Sequence, residues 1–323
     1  MTAVLFTCAG QRVDIVTAFA RAGATTIATD ADPLAPALYH ADRHALVPRM
    51  DDPRYVPALR ELVQEHDVKL VVPVTDIDIV ALVRGRDQLK APLLLPDGDV
   101  VQRFADKYLA HLLFEEHGLP SPPTWLPTDV PDDARFPLLV KARHGFGSNH
   151  IYRAASPSEL EFFLRYTPVE SIVQQWCMGE EFSIDVFCDW EGTCLNAIPR
   201  TMIQSKGGES IKGKTIKDWS LIELGRRVAE TVGLAGPATV QCFRESDGML
   251  FVTDVNTRFG GAFPLPTEAG SGYPELALAL ARGERPKPRL GEFREGVVMT
   301  RYLSHVALTD VAGELVPAPR AES

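Results

Sequence analysis

Positive charge is in short supply in this chain. Thirty-three lysines and arginines face 43 aspartates and glutamates, for a formal net charge of −10 over 323 residues and a pI near 5.3. Nucleic-acid binders need a basic face, so a phosphodiester backbone is excluded as the main partner, although a local basic site for a nucleotide is not. No apolar run approaches the roughly 20 residues of a membrane span. The opening MTAVLFTCAGQRVDIV reads as a first strand, without a basic n-region or a cleavage site. A soluble, cytoplasmic protein without a membrane partner is therefore expected. The five cysteines (Cys8, Cys177, Cys188, Cys194 and Cys242) are odd in number and show no CxxC spacing. They read most simply as buried thiols in a reducing compartment. Cys8 follows the first strand, but no histidine stands in a recognisable partner role to make it a nucleophile. The G-x-G-x-x-G fingerprint is missing as well. TCAGQR opens where a phosphate loop would stand but carries only Gly10, so a dinucleotide-dependent oxidoreductase is poorly supported. There is no internal repeat.

What the chain does have is 45% hydrophobic residues, enough for a substantial core in two or three lobes. Residues 4–8 (VLFTC), 26–30 (TIATD), 44–48 (HALVP), 68–74 (VKLVVPV) and 92–96 (PLLLP) read as short buried strands. Amphipathic stretches such as DPRYVPALRELVQEH and IDIVALVRGRDQL lie between most of them. Strands alternating with helices imply an α/β, doubly wound parallel sheet over residues 1–105. Ligands of such sheets sit beyond the carboxyl ends of the strands. That nominates Gly10, Arg12, Asp30, Thr75 and Asp76, with helix capping the competing explanation for Asp30 and Asp76.

Three later segments carry chemistry. PLLVKARHGFGSNHI places Lys141 on an apolar strand ahead of a loop with Gly145, Gly147 and Ser148. Glycines let a backbone fold over phosphate oxygens and present its amides, and a nearby lysine adds a point charge. A hairpin with a flexible tip explains the same letters. SIVQQWCMGEEFSIDVF reads as strand, bend and strand, where the bend offers backbone groups to a purine edge and Glu181 offers a carboxylate to ribose hydroxyls. QCFRESDGMLFVTDVNTR sets Gln241 on one strand and Asp254 and Asn256 on the next, joined by a Ser246-Asp247-Gly248 turn, with Arg258 just beyond. Residues two apart on a strand share a face, and hard oxygen donors suit Mg²⁺ bridged to phosphates. A solvated strand edge is the plain alternative.

In that order, lysine strand, glycine loop, strand-bend-strand with an acid and a Gln...Asp-x-Asn set, the chain resembles the ATP-grasp superfamily, in particular its carbamoyl phosphate synthase large-subunit-like ligases. The resemblance runs from VLFTCAGQRVDIV to NTRFGGAFPLPTEAGSGYPELALALARGE. It implies an N-terminal doubly wound parallel-sheet (pre-ATP-grasp) domain over 1–105, followed by a two-lobed α+β ATP-grasp domain. The small lobe would span 106–175 and the large lobe 176–310, with a fraying tail at 311–323. It further implies that Lys107 and Lys141 hold ATP phosphates under the Gly145–Ser148 loop. Main chain at Gln175 and Cys177 would read adenine, and Glu181 would hold the ribose. Gln241, Asp254 and Asn256 would bind Mg²⁺ or Mn²⁺, and Arg258 would neutralise the transferred phosphate or the substrate carboxylate. The implied reaction activates a small carboxylate as an acylphosphate for displacement by an amine, leaving ADP and phosphate. Its partners are small molecules, and a homodimer is the assembly left open. The chain departs from the family pattern at three places: Asp254 stands where Glu-x-Asn is usual, Gln174 and Gln175 where the hinge commonly begins with glutamates, and Asn149 and His150 where the phosphate loop usually ends in glycine.

One segment points elsewhere. Gly208–Thr215, GESIKGKT, satisfies the Walker A pattern, with LFVTD as a possible Walker B. A P-loop needs a buried strand immediately before it and a helix starting at its Lys-Ser/Thr. Here PRTMIQSKG precedes, IKD follows, and the next helix reads as capped by Asp218. Residues 199–215 better resemble the Pro-Arg...Gly-Glu...Lys-Gly segment of the ATP-grasp large lobe, which makes Arg200 a candidate substrate or phosphate ligand. A P-loop NTPase and a nucleotide-binding regulatory protein without turnover stay open as alternatives.

Overall fold

The computed structural model describes residues 1–145, 150–206 and 209–318. They divide into two units. Met1–Leu95, Gly272–Lys287 and the segment from Arg301 make the first, and Pro96–Ser271 with Pro288–Thr300 makes the second. Unit 1 begins with β1 (Thr2–Thr7), α1 (Val13–Arg21), β2 (Ala24–Asp30), β3 (Arg43–Leu46), α2 (Tyr55–Glu65), β4 (Leu70–Pro73), α3 (Ile79–Arg84) and α4 (Arg86–Leu89). All four strands are parallel, in the order β3-β2-β1-β4. Both faces are covered, so the inner strands are apolar runs rather than alternations: Val4, Leu5, Phe6, Val71 and Val72 are fully buried. Helix α1 lays Ile15, Val16 and Phe19 on the sheet, and Phe19 meets Phe6 edge to face at 5.2 Å.

Two expectations need correction. PLLLP is not a strand: only Leu93 pairs, in a single parallel bridge to Val71, because the flanking prolines bring no N–H to a ladder. The stretch IDIVALVRGRDQL is two helices. They part at Gly85, where an added Cβ would lie 2.7 Å from Cγ1 of Val56. Of the expected crevice residues, Gly10 and Asp30 bond each other, the Gly10 amide donating to Asp30 Oδ2 at 2.8 Å. The Arg12 guanidinium is held by Asp14 and by the Val74 carbonyl. Asp78, just outside that set, is fully buried and accepts a 2.6 Å bond from the Tyr55 hydroxyl.

Burial pushes the Asp78 carboxyl upward, with the bond from Tyr55 opposing it. A raised folded-state value gives stability that is complete below the unfolded carboxylate range and is lost as pH rises through the folded value. Asp78→Asn keeps an acceptor for Tyr55 and does not ionise. The thermal midpoint of Asp78→Asn minus that of the parent chain should therefore climb between pH 4 and pH 7. A difference that stays flat would show that Asp78 does not titrate as a buried group.

Unit 2 holds α5 (Gly98–Ala105), α6 (Lys107–Glu116), β5 (Thr124–Trp125), β6 (Leu138–Ala142), β7 (Ile151–Ala154), α7 (Pro157–Tyr166), β8 (Ser171–Gln175), β9 (Glu180–Cys188), β10 (Cys194–Lys206), β11 (Glu209–Thr215), α8 (Trp219–Thr231), β12 (Gly236–Arg244), β13 (Leu250–Asn256) and α9 (Pro264–Glu268). A four-stranded sheet runs β5-β8-β6-β7. A six-stranded antiparallel sheet runs β13-β12-β9-β10-β11, with β14 (Val298–Thr300) on its far edge. Helix α8 lies against one face so closely that a Cβ on Gly225 would come 2.6 Å from Ile184. Asp218 caps α8 through the amides of Ser220 and Leu221, as expected.

Unit 2 begins at Pro96, ahead of the boundary expected near Ala105, because α5 packs on α6. The chain then returns to unit 1, where α10 (Tyr273–Ala281) meets α1. Of the apolar stretch GVVMTRYLSHVA only β14 is strand, an exposed edge with little to bury. Residues of the expected tail also pair, in a hairpin of β15 (Leu308–Val311) and β16 (Glu314–Pro317).

Candidate active site

The site is built on one face of the six-stranded sheet. Residues directly opposite on antiparallel strands point to the same side. The register sets Arg200 against Ser183, Ser183 against Gln241 and Gln241 against Asp254. Glu181 and Asp185 share that face with Ser183 by alternation, and Asn256 with Asp254. Thus Glu181, Arg200, Gln241, Asp254 and Asn256 stand on one face of four adjacent strands, opposite the face α8 covers. Arg200 and Asp185 form a buried pair, the guanidinium Nε donating to Asp185 Oδ2 at 2.7 Å, while Arg200 Nη1 has no partner among the described residues. Burial raises the Glu181 carboxyl, and the Arg200 charge pulls it back. A Cβ on Gly260 would lie 2.5 Å from Thr239 Oγ1 and 2.9 Å from Asp185 Oδ1. Only glycine lets the turn after Arg258 lie that close to the sheet. Arg258 itself is half-buried and donates to the Phe259 carbonyl.

A bulge joins this face to the small sheet. Cys242 pairs with Val252 and Gln241 with Asp254, so Thr253 is the extra residue. Its carbonyl receives the ammonium of Lys141 at 3.3 Å. Lys141, on β6, is 6% exposed and also donates to Gln174 Oε1 at 3.1 Å. Burial pushes its ammonium down to about 8, opposed by the charge of Asp254 and assisted by Lys107. Lys107, the first residue of α6, reaches the Gly145 carbonyl at 2.7 Å, where φ is +116°. A small cavity is lined by Lys107, His111, Gln174, Thr253 and Asp254. The root of the glycine loop is fixed by Arg143, whose guanidinium grips the Asp106 carboxylate through Nε at 2.9 Å and Nη2 at 2.7 Å. Gly147 and Ser148 lie outside the described residues, as do Gly207 and Gly208.

The hinge Gln175–Cys177 runs between the two sheets. The Gln175 amide donates to the Pro123 carbonyl, and its side chain ties down the carbonyls of Arg135 and Pro137. Burial pushes the Cys177 thiol to about 11, so it is no thiolate at neutral pH. The same holds for Cys8, pushed to about 12.

Alternation along SIVQQ puts Gln174 beside Lys141, but the sequence reading had fixed on Gln175. His111, bonded to Ser121 Oγ at 2.9 Å, was likewise passed over among eight scattered histidines. The Walker-like letters take another shape. Residues 209–215 are strand β11, paired on both sides by β10 and β14. Gly213 is required by that pairing, since a Cβ there would sit 2.8 Å from the Thr201 carbonyl oxygen. Lys214 is exposed, on the sheet face opposite Asp254. No helix starts at Lys214-Thr215, so the P-loop reading falls.

Residues 4–92 match the family model for PylC-like N-terminal domains, and residues 167–304 match that for ATP-grasp proteins in the biosynthetic pathway with Ter operon. The chain has the ATP-grasp fold. Its fold is shared with the biotin carboxylase domain of Hydrogenobacter thermophilus 2-oxoglutarate carboxylase, at 16% identity, TM-score 0.74, and 91% of this chain on 73% of that one. An L-amino acid ligase from Bacillus licheniformis aligns at 18% identity and TM-score 0.71, over 91% of this chain and 78% of that. N5-carboxyaminoimidazole ribonucleotide synthetase from Thermotoga maritima aligns at 18% and 0.69, over 90% and 78%. No curated protein matches the sequence. Among the described residues no helix is long and apolar enough to cross a membrane.

Proposed function

We propose that this chain is an ATP-dependent carboxylate-amine ligase, using ATP and Mg²⁺ to activate a small carboxylate, an amino acid or related acid, for attack by an amine. The observation that carries the reading is the convergence of Lys107 and the Asp254 carboxylate on one cavity whose wall residues Gln174 and Thr253 hold the Lys141 ammonium, with Gln241 and Asn256 on the same sheet face as Asp254. Lys107 and Lys141 hold nucleotide phosphates, Lys107 from beside the Gly145 carbonyl. Main chain at Gln175 and Cys177 takes the adenine edge, and Glu181 accepts from ribose. Gln241, Asp254 and Asn256 fit a hard divalent cation, being three oxygen donors on one sheet face. Bound there, the cation offsets phosphate charge. Arg258 and the unpartnered Nη1 of Arg200 offer donors to the substrate carboxylate or the transferring phosphoryl group, where positioning and charge stabilisation supply most of the acceleration. The Hydrogenobacter thermophilus structure holds MgADP and bicarbonate, which supports the pairing of nucleotide and carboxylate.

The test is a panel of amino acids and small carboxylates supplied with ATP, Mg²⁺ and hydroxylamine. An accepted carboxylate should yield a hydroxamate with stoichiometric ADP and phosphate. Pyrophosphate and AMP in place of ADP would overturn the acylphosphate route.

A further inference from the structure

The buried polar chain Thr124–Gln174–Lys141 orients one amide. Thr124 Oγ1 donates its proton to the Pro122 carbonyl at 2.9 Å. A hydroxyl has one proton, so toward Gln174 it can only accept. That assigns the nearer end of the Gln174 amide as Nε2, which donates to Thr124 Oγ1 at 2.8 Å, and leaves Oε1 facing the Lys141 ammonium at 3.1 Å. Thr124 and Gln174 are directly opposite in the β5–β8 register, and both are buried, at 4% and 5% exposure. Pro122 contributes only a carbonyl to this geometry, so it has no amide to compete for the hydroxyl.

The other end of the chain is the Lys141 ammonium. It has three N–H donors. Two are taken by neutral oxygens arriving from different strands, Gln174 Oε1 on β8 and the Thr253 carbonyl freed by the β13 bulge. Neither partner cancels the charge, and among the described residues no third partner takes the remaining donor, which is left for a ligand. Were the Gln174 amide reversed, its NH₂ would face the ammonium donor to donor, and Lys141 would have to move.

We propose that Thr124 and Gln174 are positioning residues that hold the Lys141 ammonium, with one donor free, for a nucleotide phosphate. The inference rests on the reading that Lys141 binds ATP. It assigns Gln174 a role distinct from the backbone contacts of the hinge.

The experiment is ATP binding by calorimetry on the full chain, in a double-mutant cycle with Lys141→Ala, thermal midpoints being recorded for every variant. Thr124→Val removes the acceptor for Nε2 while keeping volume, and should weaken ATP about tenfold, as expected for one misdirected hydrogen bond to a charged group. Thr124→Ser, which keeps the hydroxyl, should restore most of that affinity. Gln174→Leu should show a loss like that of Thr124→Val, and serves if Thr124→Val fails to fold. In the Lys141→Ala background neither substitution should cost anything further, because a positioning residue has nothing left to position. Equal losses in both backgrounds, or unchanged affinity in Thr124→Val and Gln174→Leu while Lys141→Ala is weakened, would overturn the inference alone. Unchanged affinity in Lys141→Ala itself would overturn the nucleotide role of Lys141, and this inference with it.

Discussion

Asp254→Asn is expected to abolish ADP release in the presence of an accepted carboxylate, with a fall of at least about a hundredfold to a thousandfold, the cost of deleting one electrostatic group from a phosphoryl-transfer site. Asp254 is the carboxylate of the oxygen trio, opposite Gln241 on the sheet face. Removing its charge removes what a divalent cation binds most strongly. The side chain is half-buried, and the bond the fold asks of it is to the neighbouring Val255 amide, which Oδ1 accepts at 3.0 Å. An asparagine can still accept that bond, so the thermal midpoint should stay close to that of the parent chain. Asn256→Ala should lose turnover in the same way, since it deletes a ligand and no core packing. Raising Mg²⁺ should recover part of the Asn256→Ala loss and little of the Asp254→Asn loss. Full activity in both variants would remove the metal assignment.

Those two residues were legible because period-2 geometry is local. In LFVTDVN the positions two apart must share a face wherever the strand lies. The Ser246-Asp247-Gly248 turn alone would set Gln241 against Thr253, and it is the bulge that sets it against Asp254. What the letters did not hold was the bulge at Thr253, which depends on how β12 and β13 slip past one another, and whose freed carbonyl brings Lys141 to the site. The parallel sheet of unit 1 was legible for a similar reason: strands buried on both faces leave unbroken apolar runs. The placement of α10 was not. YPELALALA is apolar nearly all round, so no stripe in its sequence names the unit on which it packs. Gln174 was missed because two adjacent glutamines look equivalent in the chain and become different only when alternation buries one beside Lys141 and leaves the other on the hinge.

Lys141→Ala should weaken ATP binding by roughly tenfold to a hundredfold, whereas Lys214→Ala should leave it within about twofold. The first figure follows from losing a charge-assisted hydrogen bond, about 1.5 to 3 kcal/mol, at about 1.4 kcal/mol per decade of dissociation constant. The contrast follows from the sheet. Lys141 is enclosed between the Gln174 amide and the Thr253 carbonyl, next to Asp254. Lys214 shares the letters G-K-T with a phosphate loop, but its strand turns it to the opposite face, exposed to solvent. Charges separated by a sheet and screened by water and salt contribute little to each other. The comparison belongs on affinity, measured by calorimetry with the nucleotide alone, because a carboxylate or amine substrate engages side chains of its own. A larger loss of ATP affinity in Lys214→Ala than in Lys141→Ala would put the nucleotide on the GESIKGKT segment and overturn the placement of its phosphates beneath Lys141.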